Sequence, residues 1–285
     1  STDGDDSITG NSAGQTISGG AGNDVIDARQ GNDIIIGGTG DDILRGGSNN
    51  DVYVFNRGDG YDDIYDRNNS NLIRSGGYDR VDFGEGISID DLTFRTINKK
   101  DILVLINDSD DRVLLNNTLQ SHGAGQNRTA IEEIRFSDGT SLSYRQIHDL
   151  ALQGTDADER IWGDNASNTV TGGAGNDVIT GGAGDDQLHG GAGDDVFLFS
   201  AGDGNDVVHG GTGADWTDSI ALTGGSDGGG ESVGAMGADW TVTVTSGEII
   251  SVDEGEMIFS QDSSGTIDFS DGGSIDFDGI ESLSW

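Results

Sequence analysis

Gly19-Gly20-Ala21-Gly22-Asn23-Asp24-Val25-Ile26-Asp27 sets out a nine-residue pattern that decides the fold. Glycine stands at positions 1, 2 and 4, aspartate at position 6 and a large apolar residue at position 8. The phase runs on through residues 28–36, 37–45 and 46–54, and back through 10–18 to 1–9. It returns at residues 163–171, 172–180, 181–189 and 190–198. Position 8 is Ile8, Ile17, Ile26, Ile35, Leu44 and Tyr53 in the first array, then Ile161, Val170, Ile179, Leu188 and Phe197 in the second. A glycine-rich linker has no reason to hold apolar residues in phase. Positions 7–9 suit a short strand whose alternation turns position 8 inward. Positions 1–6 make a turn, where glycine permits left-handed backbone and close approach. Nine residues are then half a coil, and stacked 18-residue coils give two parallel sheets around a thin apolar core.

The charge says what must hold such coils together. The 285 residues carry 52 acids against 14 bases, a formal net charge of −38, with only 32% hydrophobic residues. That balance by itself describes a chain unable to bury enough surface to fold. Here, however, the acids sit at fixed phases beside glycines, as ligands would, so folding is expected when a cation neutralises them. Nucleic acid and anionic membrane surfaces are excluded as partners, because both need a basic face. The strongest apolar run, residues 102–106, has strand length and falls far short of the ~20 residues of a membrane-spanning helix. With no cysteine, disulfides and thiolate metal sites are excluded. Residue 1 already lies in repeat phase, so the chain is expected to be part of a longer polypeptide without a signal peptide of its own.

Calcium takes six to eight oxygens, carboxylate and carbonyl alike, at about 2.3–2.6 Å. Glycine-rich turns offer carbonyls, and position 6 offers charge through Asp6, Asp24, Asp33, Asp42 and Asp51, then Asp177, Asp186 and Asp195. The pattern GGxGxDxUx, with U apolar, resembles the RTX family of secreted bacterial proteins, whose repeats are haemolysin-type calcium-binding repeats. The resemblance implies a right-handed β-roll with ions between turns 18 residues apart. One turn would offer positions 1, 3 and 5, and the next positions 2, 4 and 6. Gly19, Ala21 and Asn23 would then face Gly38, Gly40 and Asp42, and Gly172, Ala174 and Asn176 would face Gly191, Gly193 and Asp195. The candidate metal-site residues of the first array are Asp6, Gly19, Gly20, Ala21, Gly22, Asn23, Asp24, Asn32, Asp33, Gly37, Gly38, Thr39, Gly40, Asp41, Asp42, Asn50, Asp51 and Asp62. Those of the second are Gly172, Gly173, Ala174, Gly175, Asn176, Asp177, Gly181, Gly182, Ala183, Gly184, Asp185, Asp186, Gly190, Gly191, Ala192, Gly193, Asp194, Asp195, Asn205, Asp206 and Asp215. Together they would hold roughly six to ten calcium ions. Gln15, Glu159 and Asn168 stand in for aspartate at position 6, so weak or absent sites are expected there; Ala28-Arg29-Gln30 replaces the usual glycines.

Both arrays end alike. After Val54-Phe55 and Leu198-Phe199 the step between aspartates lengthens, from Asp51 to Asp62 and from Asp195 to Asp206. The aromatic residues are expected to close each roll. Residues 78–83, 92–96, 101–107, 112–119 and 131–136 read as strands, Ser137-Asp138-Gly139-Thr140 as a turn, and 143–152 as a short helix with Ser143 as N-cap. Val81-Asp82-Phe83-Gly84-Glu85-Gly86-Ile87 and Ile131-Glu132-Glu133-Ile134-Arg135-Phe136 make this stretch resemble the haemolysin-type calcium-binding related module. Its expected task is to cap open strand edges; ligand binding in loop 120–129 is the alternative. Further strands are expected at 218–222, 240–245, 256–260, 265–269 and 274–277. The ending Phe277-Asp278-Gly279-Ile280-Glu281-Ser282-Leu283-Ser284-Trp285, with Trp216-Thr217-Asp218 and the glycine-rich stretch 224–230, resembles the type I secretion target region of large RTX adhesins.

The expected fold class is therefore all-β. Two right-handed parallel β-rolls (residues 1–66 and 154–215) are separated by a β-rich capping module (67–153) and followed by a β-rich secretion-signal module (216–285). No catalysis is expected. Gly10-Asn11-Ser12-Ala13-Gly14 fits a hydrolase elbow only by lying in repeat phase, since that elbow needs a strand-to-helix turn. His122, His148, His189 and His209 show no zinc spacing, and His189 and His209 should face solvent. The resemblance implies a secreted or cell-surface, monomeric region of an adhesin, exported through its C-terminus by an ABC-type type I secretion apparatus. A calcium-dependent glycan- or peptide-recognition module and the targeting tail of a secreted protease or lipase are the alternatives.

Overall fold

A computed structural model describes residues 3–66, 77–118, 131–200, 202–211, 217–223, 240–253, 255–270 and 272–285. The chain divides into two compact units, Ser1–Ala151 and Leu152–Trp285. Both are β throughout, apart from one α-helix and a single 3-10 turn among the described residues.

The first unit opens with β1 (Ser7–Thr9), β2 (Thr16–Ala21), β3 (Val25–Asp27), β4 (Ile34–Thr39), β5 (Ile43–Arg45), β6 (Val52–Phe55) and β7 (Tyr61–Tyr65). It continues with β8 (Arg80–Phe83), β9 (Leu92–Ile97), β10 (Asp101–Ile106), β11 (Arg112–Leu115), β12 (Glu133–Arg135), β13 (Ser141–Ser143) and α1 (Tyr144–Ala151). Odd and even strands part into two sheets, β1-β3-β5-β7 and β2-β4-β6-β8, every pair parallel. The register is the repeat itself: Ile8 lies beside Ile26, Ile26 beside Leu44, and Ile17 beside Ile35. Position 8 is buried from Ile17 to Tyr53, as its inward alternation requires. On the even face the strands are longer than the three residues that positions 7–9 supply. β2 and β4 run on through two glycines into position 3, because glycine's carbonyl and N–H can still pair with the coil above.

The aromatic residues after the repeats do not close the stack. Two extra residues widen the turn at Arg57-Gly58-Asp59-Gly60, where Asp59 Oδ2 accepts the Asn56 N–H at 2.7 Å. The coil then resumes with a 20-residue register, Leu44 beside Ile64. β11 adds in parallel to β7, and β12 in parallel to β8, before antiparallel β10, β9 and β13 turn the edges away. Phe55, Phe83 and Phe136 accordingly form a ladder, successive ring centroids 5.9 Å apart, instead of a plug. One apolar core runs from Ile17 to Ala151, including Ile147 of α1, whose entry is held by the Ser143 N–H and hydroxyl donating to Gln146 Oε1.

The second unit contains β14 (Arg160–Trp162), β15 (Thr169–Ala174), β16 (Val178–Thr180), β17 (Gln187–Ala192), β18 (Val196–Phe199), β19 (Asn205–Gly211) and β20 (Ser219–Leu222). After these come β21 (Trp240–Ser246), β22 (Ile249–Asp253), β23 (Glu256–Phe269) and β24 (Ser274–Ser284). Two parallel ladders stack again, β14-β16-β18-β20 and β15-β17-β19. β24 serves both: Ser274 to Asp278 pair with β19, and Ser282 to Ser284 pair with β20. Gly279 makes the corner at φ 61°, and a Cβ there would collide with the Gly211 carbonyl. The sequence predicts separate strands at 256–260 and 265–269; a single long β23 with register shifts joins them, and β21 and β22 pair on it. Trp240 is buried and meets Trp285 edge-on at 5.2 Å. His189 and His209 are surface neighbours, stacked at 4.7 Å, with His209 Nδ1 2.9 Å from Asp278 Oδ2.

Candidate metal centre

Each coil stacks on the next through its position-6 aspartate. The Oδ1 of one aspartate accepts the backbone N–H of the residue at position 6 in the coil before. Asp24 Oδ1 takes the Asp6 N–H at 2.7 Å, Asp42 that of Asp24 at 2.7 Å, and Asp51 that of Asp33 at 2.8 Å. In the second unit Asp177 takes Glu159 at 2.9 Å, Asp186 takes Asn168 at 2.8 Å, and Asp195 takes Asp177 at 2.9 Å. The widened turns keep the ladder: Asp62 serves Asp42 at 3.2 Å and Asp206 serves Asp186 at 3.0 Å.

The ladder then passes beyond the repeats. Asp79 accepts the Asp51 N–H at 2.7 Å across 28 residues, and Glu132 that of Asp79 at 2.7 Å across 53. Asp218 accepts the Asp195 N–H at 2.8 Å, and Glu281 that of Asp218 at 2.8 Å across 63. These four are absent from the sequence-predicted set. Their signal is present in outline: Asp79-Arg80-Val81, Glu132-Glu133-Ile134, Asp218-Ser219-Ile220 and Glu281-Ser282-Leu283 all keep an acid two places before an inward apolar residue. The predicted Asp215 lies outside the described residues, as do Trp216, the 224–230 stretch and loop 120–129.

Position 5 builds a second ladder pointing the other way. Asn23 Oδ1 accepts the Asp41 N–H one coil later at 3.0 Å, Asn32 that of Asn50 at 3.2 Å, and Asn176 that of Asp194 at 2.9 Å. Asp41, Asn50, Asp185 and Asp194 do the same for Tyr61, Tyr78, Asn205 and Thr217. The gap between neighbouring turns thus receives a position-5 oxygen from one side and a position-6 carboxylate from the other, Asn23 with Asp42 and Asn176 with Asp195. Of the carbonyls, those of Gly20 and Gly22 approach the α-carbons of Gly38 and Gly40, and that of Gly37 approaches Gly19. The oxygens of Gly20 and Gly22 thus lie against the turn of Gly38 and Gly40. In the second unit the carbonyls of Gly173 and Gly175 approach Gly191 and Gly193 in the same way, and that of Gly184 approaches Gly204. Arg29 takes a glycine's place at φ 80° and still sets its carbonyl against Gly47.

One atom of most ladder aspartates is left over. Oδ2 of Asp24, Asp33, Asp42, Asp51, Asp62, Asp79, Asp177, Asp186 and Asp195 is buried with no hydrogen-bond partner. Orphaned buried carboxylate oxygens are costly, so their regular recurrence marks a place built for a cation. Burial drives the carboxyls upward against the lowering effect of the N–H each accepts. Asp42, Asp177, Asp206 and Asp218 rise to about 6. Asp51, Asp186 and Asp195 rise to about 7, and Asp62 to about 8 with Asp42 repelling it. The stand-ins at position 6 behave otherwise. Gln15 Oε1 accepts its own turn's Asn11 N–H, Glu159 that of Thr155, and Asn168 that of Asp164, at 2.7, 2.6 and 2.9 Å. Each fills its turn with its own side chain and carries no such orphaned oxygen. The donor set of the aspartate turns, hard oxygens from carboxylate, amide and carbonyl, fits calcium.

A glycine at position 1 leaves the space beside Oδ2. A Cβ on Gly37 would strike Asp42 Oδ2, whereas one on Gly4 meets nothing within 4 Å. Gly37→Ala is expected to cost one calcium ion in isothermal titration calorimetry while Gly4→Ala keeps the full count; equal counts would contradict this placement.

The RTX calcium-binding nonapeptide repeat family matches residues 1–35, 28–62, 154–197 and 198–219. The haemolysin-type calcium binding protein related domain matches residues 101–146. A stretch of 111 residues is 34% identical to the iron-regulated protein FrpA of Neisseria meningitidis serogroup C, covering 39% of this chain and 9% of that protein. Among solved structures the chain is similar to the extracellular lipase LipA from Serratia marcescens, at 16% identity and a TM-score of 0.24, over 98% of this chain and 37% of that one. Among the described residues no helix is long and apolar enough to cross a membrane. Repeat phase, aspartate ladder and family match agree: the chain carries RTX calcium-binding nonapeptide repeats, and its cofactor is calcium, bound as several ions.

Proposed function

We propose that this chain is a calcium-triggered folding module near the C-terminal end of a larger secreted protein, a surface adhesin, and that its last segment carries the type I export signal. The observation that carries the reading is the row of buried, unpartnered Oδ2 atoms. Where free calcium is scarce, those carboxylates repel one another and the coils cannot close. Such a chain stays extended enough to thread an exporter. Where calcium is millimolar, each ion bridges two turns and adds RT ln(1 + [Ca]/Kd), ~1.4 kcal/mol at ten times Kd. About eight such ions supply on the order of 11 kcal/mol, comparable with the whole stability of a domain. Folding outside the cell then stops the chain from sliding back. β24 pairs with both β19 and β20, so this last segment is built into the folded second unit and docks only as that unit folds.

Far-UV circular dichroism during calcium titration tests the reading. A cooperative change from coil to sheet is expected near millimolar calcium, reversed by chelator. Magnesium should not reproduce it, because that ion demands a tight octahedron and parts reluctantly with water. An equally sheet-rich spectrum at pH 7.5 with and without calcium would overturn it.

A further inference from the structure

At the end of the first array three carboxylates meet, one of them from outside the position-6 ladder. Asp51, Asp66 and Asp79 are all buried, and one ligand oxygen of each lies within 4.8 Å of the others. Asp51 is the last position-6 aspartate of the first array, and Asp79 follows it on the ladder. Asp66 arrives from elsewhere. Arg45 pairs with Tyr65 in register, so Asp66 stands one coil above Gly46, at position 1. Residues 10, 19, 28, 37 and 46 hold that position as glycine or alanine. Here alone, among the described coils of this unit, a carboxylate enters the space into which the position-6 Oδ2 points.

Tyr53 turns toward the same place. Its ring fills position 8, where the other coils of the array have isoleucine or leucine, and it is fully buried. Its hydroxyl accepts the Gly46 N–H at 2.8 Å and donates to Asp66 Oδ1 at 3.2 Å. That leaves Oδ2 of Asp51, of Asp66 and of Asp79 buried and without a hydrogen-bond partner. Among the described residues, the Arg–carboxylate ion pairs engage Asp82, Asp91 and Glu133 and none of these three. Three carboxylates in one dry place need shared protons or a counter-charge, and carboxylate oxygens suit a hard divalent ion.

We propose that Asp51, Asp66 and Asp79, with the Tyr53 hydroxyl holding Asp66, form a separate calcium site that locks the end of the first array onto the segment after it. It differs in kind from the turn sites, since three side-chain carboxylates from two neighbouring coils meet in it, with Asp66 at position 1 where the other coils have glycine or alanine. Higher ligand charge raises calcium affinity, so this site fills first and fixes the return of the chain at β8. The proposal rests on the calcium reading of the chain but stands or falls separately from the turn sites.

The test is calcium binding to the full chain by native mass spectrometry and calorimetry, with calcium alone as probe. Asp66→Asn should lose one ion from the tightest class, raise the Kd of the first equivalent roughly tenfold or more, and lower the first unit's unfolding temperature in calcium at pH 7.5 but not in EGTA at pH 5, where the metal-free chain regains its sheet. An unchanged ion count and first Kd would overturn the proposal while leaving the cooperative sheet transition in place. So would a variant that is more stable in both media, since Asn then merely imitates a shared proton. Loss of calcium binding in the unsubstituted chain would overturn the wider reading instead. Should Asp66→Asn not fold, Tyr53→Phe decides. Terbium bound as the first equivalent should be sensitised through Tyr53, and that early emission should fall in Tyr53→Phe; undiminished emission and affinity would overturn the site.

Discussion

In excess EGTA at pH 8 the chain will give the spectrum of a coil, and lowering the pH toward 5 will restore much of its sheet. The sign follows from the ladder carboxyls. Burial raises Asp42, Asp177, Asp206 and Asp218 to about 6, Asp51, Asp186 and Asp195 to about 7, and Asp62 to about 8, from an unfolded value near 3.8. Between those values the folded, metal-free chain binds more protons than the unfolded one, so its stability falls as pH rises. Below about pH 4 both states are protonated and the ladder costs nothing. Above about pH 8 both are ionised and the penalty is complete. If solvent screening left each of these eight carboxyls only about tenfold harder to ionise in the fold than in the open chain, ~1.4 kcal/mol apiece, the total would be on the order of 11 kcal/mol, enough to unfold an ordinary domain.

Calcium reverses this dependence. Ligands must shed protons to hold the ion, so the calcium concentration at the midpoint should rise as pH falls from 8 to 5, with protons released on binding. Circular dichroism across a pH series in EGTA, and titrations in calcium at each pH, measure both trends. A metal-free chain that gained sheet with rising pH would show that the carboxyls are not the barrier to folding.

Removing one rung from the middle of a ladder will cost far more than removing a surface charge. Asp195 accepts the Asp177 N–H, and its own N–H donates to Asp218, while its Oδ2 lies against Gly190. Asp195→Ala therefore deletes a carboxylate ligand and leaves a buried N–H without its acceptor. A lost ion at ten to a hundred times Kd is worth ~1.4–2.7 kcal/mol, and the orphaned donor ~1–3 kcal/mol. About 3–5 kcal/mol in calcium corresponds to a fall of roughly 10–20 °C in the melting of the second unit. Asp268 is exposed on β23, and Asp268→Ala should move that transition by no more than a degree or two. Calorimetry in calcium resolves the two outcomes. Equal shifts for the two variants would mean that the ladder does not hold the coils together.

Much of this was legible in the repeat. A period of nine with one apolar residue per period leaves few ways to bury Ile17, Ile26, Ile35 and Leu44 other than half a coil each, and the parallel register follows from it. The position-6 aspartates were legible for the same reason. The stand-ins were also readable as exceptions, although not the way in which Gln15, Glu159 and Asn168 fill their own turns. The extra two residues at Gly58-Asp59 and Gly202-Asp203 were visible as a longer step, but the closed end expected there does not form. The step widens one turn and the stack carries on, because a turn can bulge outward without disturbing the strands beneath it.

The amino-acid order alone determined a stack of short parallel strands, which face of each strand is inward, and where oxygen ligands recur, because local periodicity dictates local geometry. Only the tertiary structure decided that Asp79, Glu132, Asp218 and Glu281 prolong the ladders, that β24 spans both sheets of its unit, and that Asp66 meets Asp51. Those pairings join residues up to 69 apart through connections of irregular length. They are chosen by which strand finds an open edge with unpaired N–H groups, and no period along the chain encodes that choice.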